Sequence, residues 1–142
     1  QTEPLYSPEQ TLHAELMAAE LRQQGNAKAK AGMLRDAIEL YSQAAELLEN
    51  QRGPLRDLAL VLGNRCHCYM RLGRLQDAKD DAERAVDADP CYTKGFYRLA
   101  LCRKELSDLA GAWESVTRAA ALEPESQEIC ALQEAIRQLE GS

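Results

Sequence analysis

Aromatic residues are scarce in this sequence of 142 residues, with one Trp, one Phe and five Tyr making up 5% of the chain. Glycine and proline are also few, at eight and five. A chain poor in aromatics and rich in Ala, Leu, Glu and Arg favours helices packed through small side chains and excludes a sheet protein. No apolar run approaches the roughly 18 residues of a membrane span. Basic residues are outnumbered, 17 against 23 acidic ones, for a formal net charge of -6. Because phosphate attraction needs a basic face, this balance argues against nucleic acid as a partner, and any basic groove must be assembled locally. The five cysteines are an odd number, scattered through segments that read as helix, and no secretory signal precedes them. The chain starts with Gln1, which suggests a cut or processed chain, and a reduced, intracellular setting is expected. Phosphate loops, nucleophile elbows and His-Glu-x-x-His helices are missing, so neither an enzyme nor a cofactor is expected. Cys66-x-Cys68 around His67 is no metal motif, since residues two apart on a helix point apart and no second pair completes a tetrahedral set. Cys91, Cys102 and Cys130 are too far apart for a redox motif and are expected to be structural, as buried helical cysteines act as small hydrophobes.

What the sequence does contain is a repeat. Leu62, Asn64, Cys66, Tyr69, Gly73, Ala78, Ala85 and Pro90 recur thirty-four places later as Phe96, Arg98, Ala100, Arg103, Ser107, Ala112, Ala119 and Pro124. The pattern is also present forty-one places earlier, as Leu21, Gly25, Lys28, Gly32, Ala37, Tyr41 and Ala44. The seven extra places fall around Asn50-Gln51-Arg52-Gly53-Pro54, where Gly-Pro marks a loop. Gly25, Cys66 and Ala100 would let the first helix of each unit approach its mate, against Ala37, Ala78 and Ala112 of the second. Ser7-Pro8-Glu9-Gln10 combines an N-cap serine, a proline at the first helical place and a capping-box Gln. It predicts a long helix from Pro8 to about Ala31. Ser126 to Glu140, with Ile129, Leu132, Ile136 and Leu139 at helical spacing and Gly141 as a stop, predicts a final helix that covers the core.

A thirty-four-residue period with Gly25, Gly32, Ala37, Tyr41 and Ala44 resembles the tetratricopeptide-repeat (TPR) family over residues 18 to 126. Lys28 and Arg103 stand where the family favours an aromatic, kept here as Tyr69. The resemblance implies an all-α fold. Three helix-turn-helix repeats form a right-handed superhelix, with a capping helix making about seven helices in one domain over 1–142. Repeat one spans 8–48 with an extended first helix, a longer connection 49–57, repeat two 58–90, repeat three 91–124 and the capping helix 125–140. A capped stack leaves no evident apolar seam, so a monomer is expected.

Residues of each first helix not used in packing face a concave groove. These include Arg22 and Asn26, one turn apart on one face, with Lys30 a further turn on; Asn64; and Lys94 with Arg98, again one turn apart. Asn is a poor helix former, so two of them at groove positions call for a role other than stability. Arg22, Asn26, Asn64, Lys94 and Arg98 match, place by place, the two-carboxylate clamp of TPR co-chaperones. There, Lys is usual where this chain has Arg22. The resemblance implies binding of the acidic Glu-Glu-Val-Asp C-terminal tails of the seventy- and ninety-kilodalton heat-shock chaperones, in the cytoplasm and also the nucleus. Lys30 and His67 are the expected secondary groove residues, whereas Phe96 and Trp113 read as core. Two carboxylates on one terminal residue need converging cationic and amide donors to replace lost water. Charge-assisted bonds of about 1.5–3 kcal/mol each, less the cost of ordering a tail, give affinity of the order of micromolar. The alternatives are a scaffold whose partner docks on the loop near Gln51 to Pro54 or on the convex face, and a targeting arm of an enzyme whose catalytic domain lies elsewhere.

Overall fold

The structure, a computed structural model, describes residues 6–50 and 55–141. They form seven helices: α1 (Pro8–Lys30), α2 (Leu34–Leu48), α3 (Arg56–Arg71), α4 (Leu75–Ala88), α5 (Thr93–Glu105), α6 (Leu109–Leu122) and α7 (Gln127–Glu140). Among the described residues there is no strand. The Gln51–Pro54 stretch, expected to be an inserted loop, lies outside them.

Local chemistry sets the helix ends. At α1 the Ser7 hydroxyl accepts from the Gln10 N–H at 3.2 Å, and the Gln10 side chain accepts from the Ser7 N–H at 2.9 Å. With Pro8 at the first helical position this is a complete capping box. Between the helices of each pair the chain reverses through a left-handed residue: Gly32 (φ 81°), Gly73 (φ 76°) and, in the third pair, Ser107 (φ 65°).

Each helix packs on the next, and α1 meets α3 as α3 meets α5, whereas α2, α4 and α6 do not touch one another. The first helices of the pairs therefore form the inner, concave side of a curved stack, and the second helices are splayed along the outer side. Small residues permit this closeness: Ala37, Cys66, Ala78, Ala100 and Ala112 are fully buried. Gly25 has a more particular task than spacing α1 from Ala37. A Cβ there would lie 2.6 Å from a ring carbon of the buried Tyr41, so the missing side chain makes room for the tyrosine.

One buried ion pair ties three helices together. Arg65 (α3) donates to both carboxylate oxygens of Asp81 (α4) at 2.7 Å each, and to the Ser42 hydroxyl (α2) at 2.9 Å. Arg103, at the place where an aromatic was missed, binds the Ser115 hydroxyl at 2.8 Å and the Gly111 carbonyl at 3.2 Å, both in α6, and Glu83 of α4 at 3.3 Å. The charged side chain thus does by hydrogen bonding what an aromatic would do by contact.

At the C-terminal end, Ile129, Leu132 and Ile136 of α7 are buried on a cluster with Phe96, Ala112 and Val116. Leu139, expected to share in that cover, is 47% exposed in the last turn. The expectation that no apolar seam is left uncovered also fails at Leu12, Leu16 and Met17, which are exposed. They lie in the N-terminal half of α1, which has 23 residues against 15 in α2 and so is about 12 Å longer at 1.5 Å per residue. Of the cysteines, Cys66, Cys68 and Cys102 are buried, while Cys91 and Cys130 are exposed and do not serve as core residues.

Candidate functional site

Charge is sorted between the two sides of the stack. The inner helices α1, α3 and α5 carry ten Lys and Arg against five Asp and Glu, and the outer helices α2, α4 and α6 carry four against nine. An acidic chain thereby acquires a basic concave face. Summed over a cleft, such a distribution attracts and orients an anionic ligand before contact.

On that face is a pocket of about 240 Å³ lined by Asn26, Lys30, Tyr41, Asn64, His67, Cys68, Arg71 and Arg98, with Ala29 at its edge. Its central polar group is Asn26. The Tyr41 hydroxyl donates to Asn26 Oδ1 at 2.5 Å, and Asn64 Nδ2 donates to the same oxygen at 3.1 Å. With the carbonyl oxygen held by two donors, the amide of Asn26 can offer only N–H groups to the groove. Burial pushes the Tyr41 phenol up to about 12, so it stays a donor at neutral pH. Arg98 is braced by donating from Nη1 to the Gly63 carbonyl at 2.7 Å and to the Tyr92 hydroxyl at 3.4 Å. Arg71 is likewise held, with Nη1 on the Ala29 carbonyl at 3.1 Å. Burial, then the charges of Arg98 and Arg71, hold the His67 imidazole below its usual value. The Cys68 thiol is raised, chiefly by burial, and is a protonated, weakly polar part of the wall.

Of the residues expected from sequence, Asn26, Asn64, Arg98, Lys30 and His67 come together in this pocket. Arg22 and Lys94 flank it. Arg22 lies one turn before Asn26 on α1 and acts electrostatically on Tyr41, and Lys94 is an exposed side chain one turn before Arg98 on α5. Phe96 is 7% exposed and Trp113 is half-buried in the core. Sequence reading passed over Arg71 and the roles of Tyr41 and Tyr92. Arg71 had a legible signal, since it follows Asn64 by seven and His67 by four on α3, and so shares their face. The tyrosine contacts had none in helical spacing, because Tyr41 meets Asn26 across the turn between α1 and α2, and Tyr92 precedes the helix whose Arg98 it meets. The pocket presents amide and cationic donors and no carboxylate, an arrangement suited to one or two carboxylates of a ligand. Among the described residues, no group of three or more His, Cys, Asp or Glu could hold a metal, and no helix is long and apolar enough to cross a membrane.

No protein-family model matches the chain. It is 33% identical to protein unc-45 homolog B of Mus musculus over 91% of its length, covering 13% of that protein. It is 31% identical to the Hsp70-Hsp90 organizing protein of Triticum aestivum over 80% of its length, covering 18% of that one. The chain thus spans less than a fifth of these curated relatives. Among solved structures, the first TPR domain of Spaghetti (RPAP3), bound to the HSP90 peptide SRMEEVD, superposes with a TM-score of 0.82 at 26% identity, over 90% of this chain and 96% of that one. The thirty-four-residue period, the stacked helix pairs and these likenesses place the chain in the tetratricopeptide-repeat family.

Proposed function

We propose that this domain binds the acidic C-terminal tails of the seventy- and ninety-kilodalton heat-shock chaperones, holding the terminal carboxylate and the last aspartate side chain with Arg22, Asn26, Asn64, Lys94 and Arg98. Lys30 and His67 form the adjoining part of the groove, and Arg71 joins them. The observation that carries this reading is the Tyr41–Asn26–Asn64 network beside Arg98, which aims amide and guanidinium donors into one concave pocket. The similarity to an RPAP3 domain solved with an HSP90 peptide, and to an Hsp70-Hsp90 organizing protein, supports the same ligand class. On this reading the domain is an adaptor that delivers attached activities to those chaperones in the cytoplasm or nucleus.

The test is calorimetric titration with a peptide ending in Met-Glu-Glu-Val-Asp beside its C-terminally amidated form. Micromolar binding that disappears on amidation is expected. The exposed Lys94→Ala variant should lose affinity with an unchanged melting temperature. Arg98→Ala should lose binding and also about 1 kcal/mol of stability, because it removes the bond to the Gly63 carbonyl as well. Equal binding of both peptides would overturn the clamp.

A further inference from the structure

On the opposite side of the stack from the basic groove, α4 and α6 stand apart with α5 beneath them. Between them is a cleft of about 370 Å³, within the roughly 300–1,000 Å³ range of ligand clefts. Its floor is apolar, from Val86, Phe96 and Leu99, and its rim is acidic. Two guanidiniums also line it, against the three carboxylates of Glu83, Asp87 and Glu114. Arg103 is bound by Glu83, Ser115 and the Gly111 carbonyl, and Arg118 lies over the Phe96 ring at 5.9 Å from its centre. Two rim carboxylates, Asp87 of α4 and Glu114 of α6, have no ion-pair partner among the described residues. They face solvent on the outer side, where acids outnumber bases by nine to four.

We propose that this cleft is a second binding site, for a short segment of a partner protein that presents a Lys or Arg side chain beside an apolar one. The apolar side chain enters over Val86, above the buried floor of Phe96 and Leu99, and the cation is received by Asp87 and Glu114. The acidic outer face repels nucleic acid and anionic membrane surfaces, and it selects for a cationic polypeptide. Because the inner groove takes negative charge and the outer cleft positive charge, the two sites bind different ligands and do not compete.

The probe is the hexapeptide Ala-Leu-Lys-Leu-Arg-Ala, acetylated and amidated so that it carries no terminal carboxylate, titrated into the ¹⁵N-labelled 142-residue chain and followed by amide shifts. Saturable shifts are expected around Asp87, Phe96 and Glu114, unaltered in Lys94→Ala. The double variant Asp87→Asn, Glu114→Gln changes only exposed side chains, which a thermal melt will verify, and should bind about five-fold more weakly. Replacing both leucines of the probe by glycine should weaken binding comparably. Absence of saturable shifts at the cleft overturns the proposal. So do shifts spread evenly over the acids of α2 and α4, which would be counterion binding, and spermine acting on the same residues with equal affinity, which would mean that charge alone is recognised. Loss of binding in Lys94→Ala would place the peptide in the concave groove and likewise overturn it.

Discussion

Asn26 is useful to an anionic ligand only in one of its two amide orientations, and Tyr41 selects it. The buried hydroxyl donates to Oδ1, so Nδ2 is the end that meets the groove. Tyr41→Phe keeps the ring that fills the space left by Gly25 and removes that donor. Its tail affinity should fall about five-fold, the effect of roughly 1 kcal/mol, and the thermal midpoint should fall with the one hydrogen bond lost, as read by calorimetry and a melt. Unaltered affinity would mean that Asn64 orients the amide by itself. His67 adds a pH dependence. Its imidazole is held below the usual value of about 6.5 by burial and by Arg98 and Arg71, with Lys30 facing the same pocket. A group whose folded value is depressed contributes stability above its unfolded value and loses it as pH falls through the folded one, so the free chain should weaken below about pH 6.5. A bound carboxylate reverses the balance by favouring imidazolium. Tail affinity should therefore rise between pH 7.5 and 6 while the free chain's stability declines, and His67→Gln should flatten the rise.

At the scale of elements, the three turns differ in one residue. Gly32 and Gly73 adopt φ near +80° without penalty, while Ser107 takes φ 65° with a side chain. For an L residue this conformation costs about 1–2 kcal/mol, so Ser107→Gly should stabilise the chain by about 1 kcal/mol once glycine's greater unfolded entropy is set against it. Chemical denaturation measures this, and a destabilised variant would mean that the serine hydroxyl compensates. The Arg65–Asp81 pair works between elements. It is largely buried and joins α2, α3 and α4. Asp81→Asn leaves a guanidinium buried without its counter-charge and should cost about 3–5 kcal/mol. The melt should show it without any direct change in groove residues.

At the scale of the whole molecule, the stack ends where α7 covers it. Truncation after Glu125 would bare the surface of α5 and α6 that Ile129, Leu132 and Ile136 occupy. A stack without its cap exposes apolar surface, so the truncated chain should melt lower and self-associate, as light scattering would reveal. Separation of charge between the faces is a property of this scale too. It does not exist in the linear order, where acids and bases are interleaved, and emerges when alternate helices are turned to opposite sides.

Much of this architecture was legible before folding because it rests on short-range chemistry. The capping box at Ser7 and the apolar spacing of α7 depend on residues within a turn or two of one another, and the thirty-four-residue period, which includes Gly32 and Gly73, reveals the pairing of helices. The nomination of Asn26, Asn64 and Arg98 as neighbours also came from the period, through its likeness to a known repeat. Other features depend on which side chains meet between helices, which spacing within one helix does not show. Arg71 reaches a carbonyl forty-two residues away, Arg65 bridges α2 and α4, Tyr41 fixes Asn26 from the next helix, and Leu139 is 47% exposed in the last turn. The sequence by itself determined the helices, their ends and their pairing, because these arise from backbone propensity and local side-chain bonds. Only the tertiary structure decided which donors converge and where charge accumulates, because the groove and the outer cleft are made by stacking and exist in no single helix.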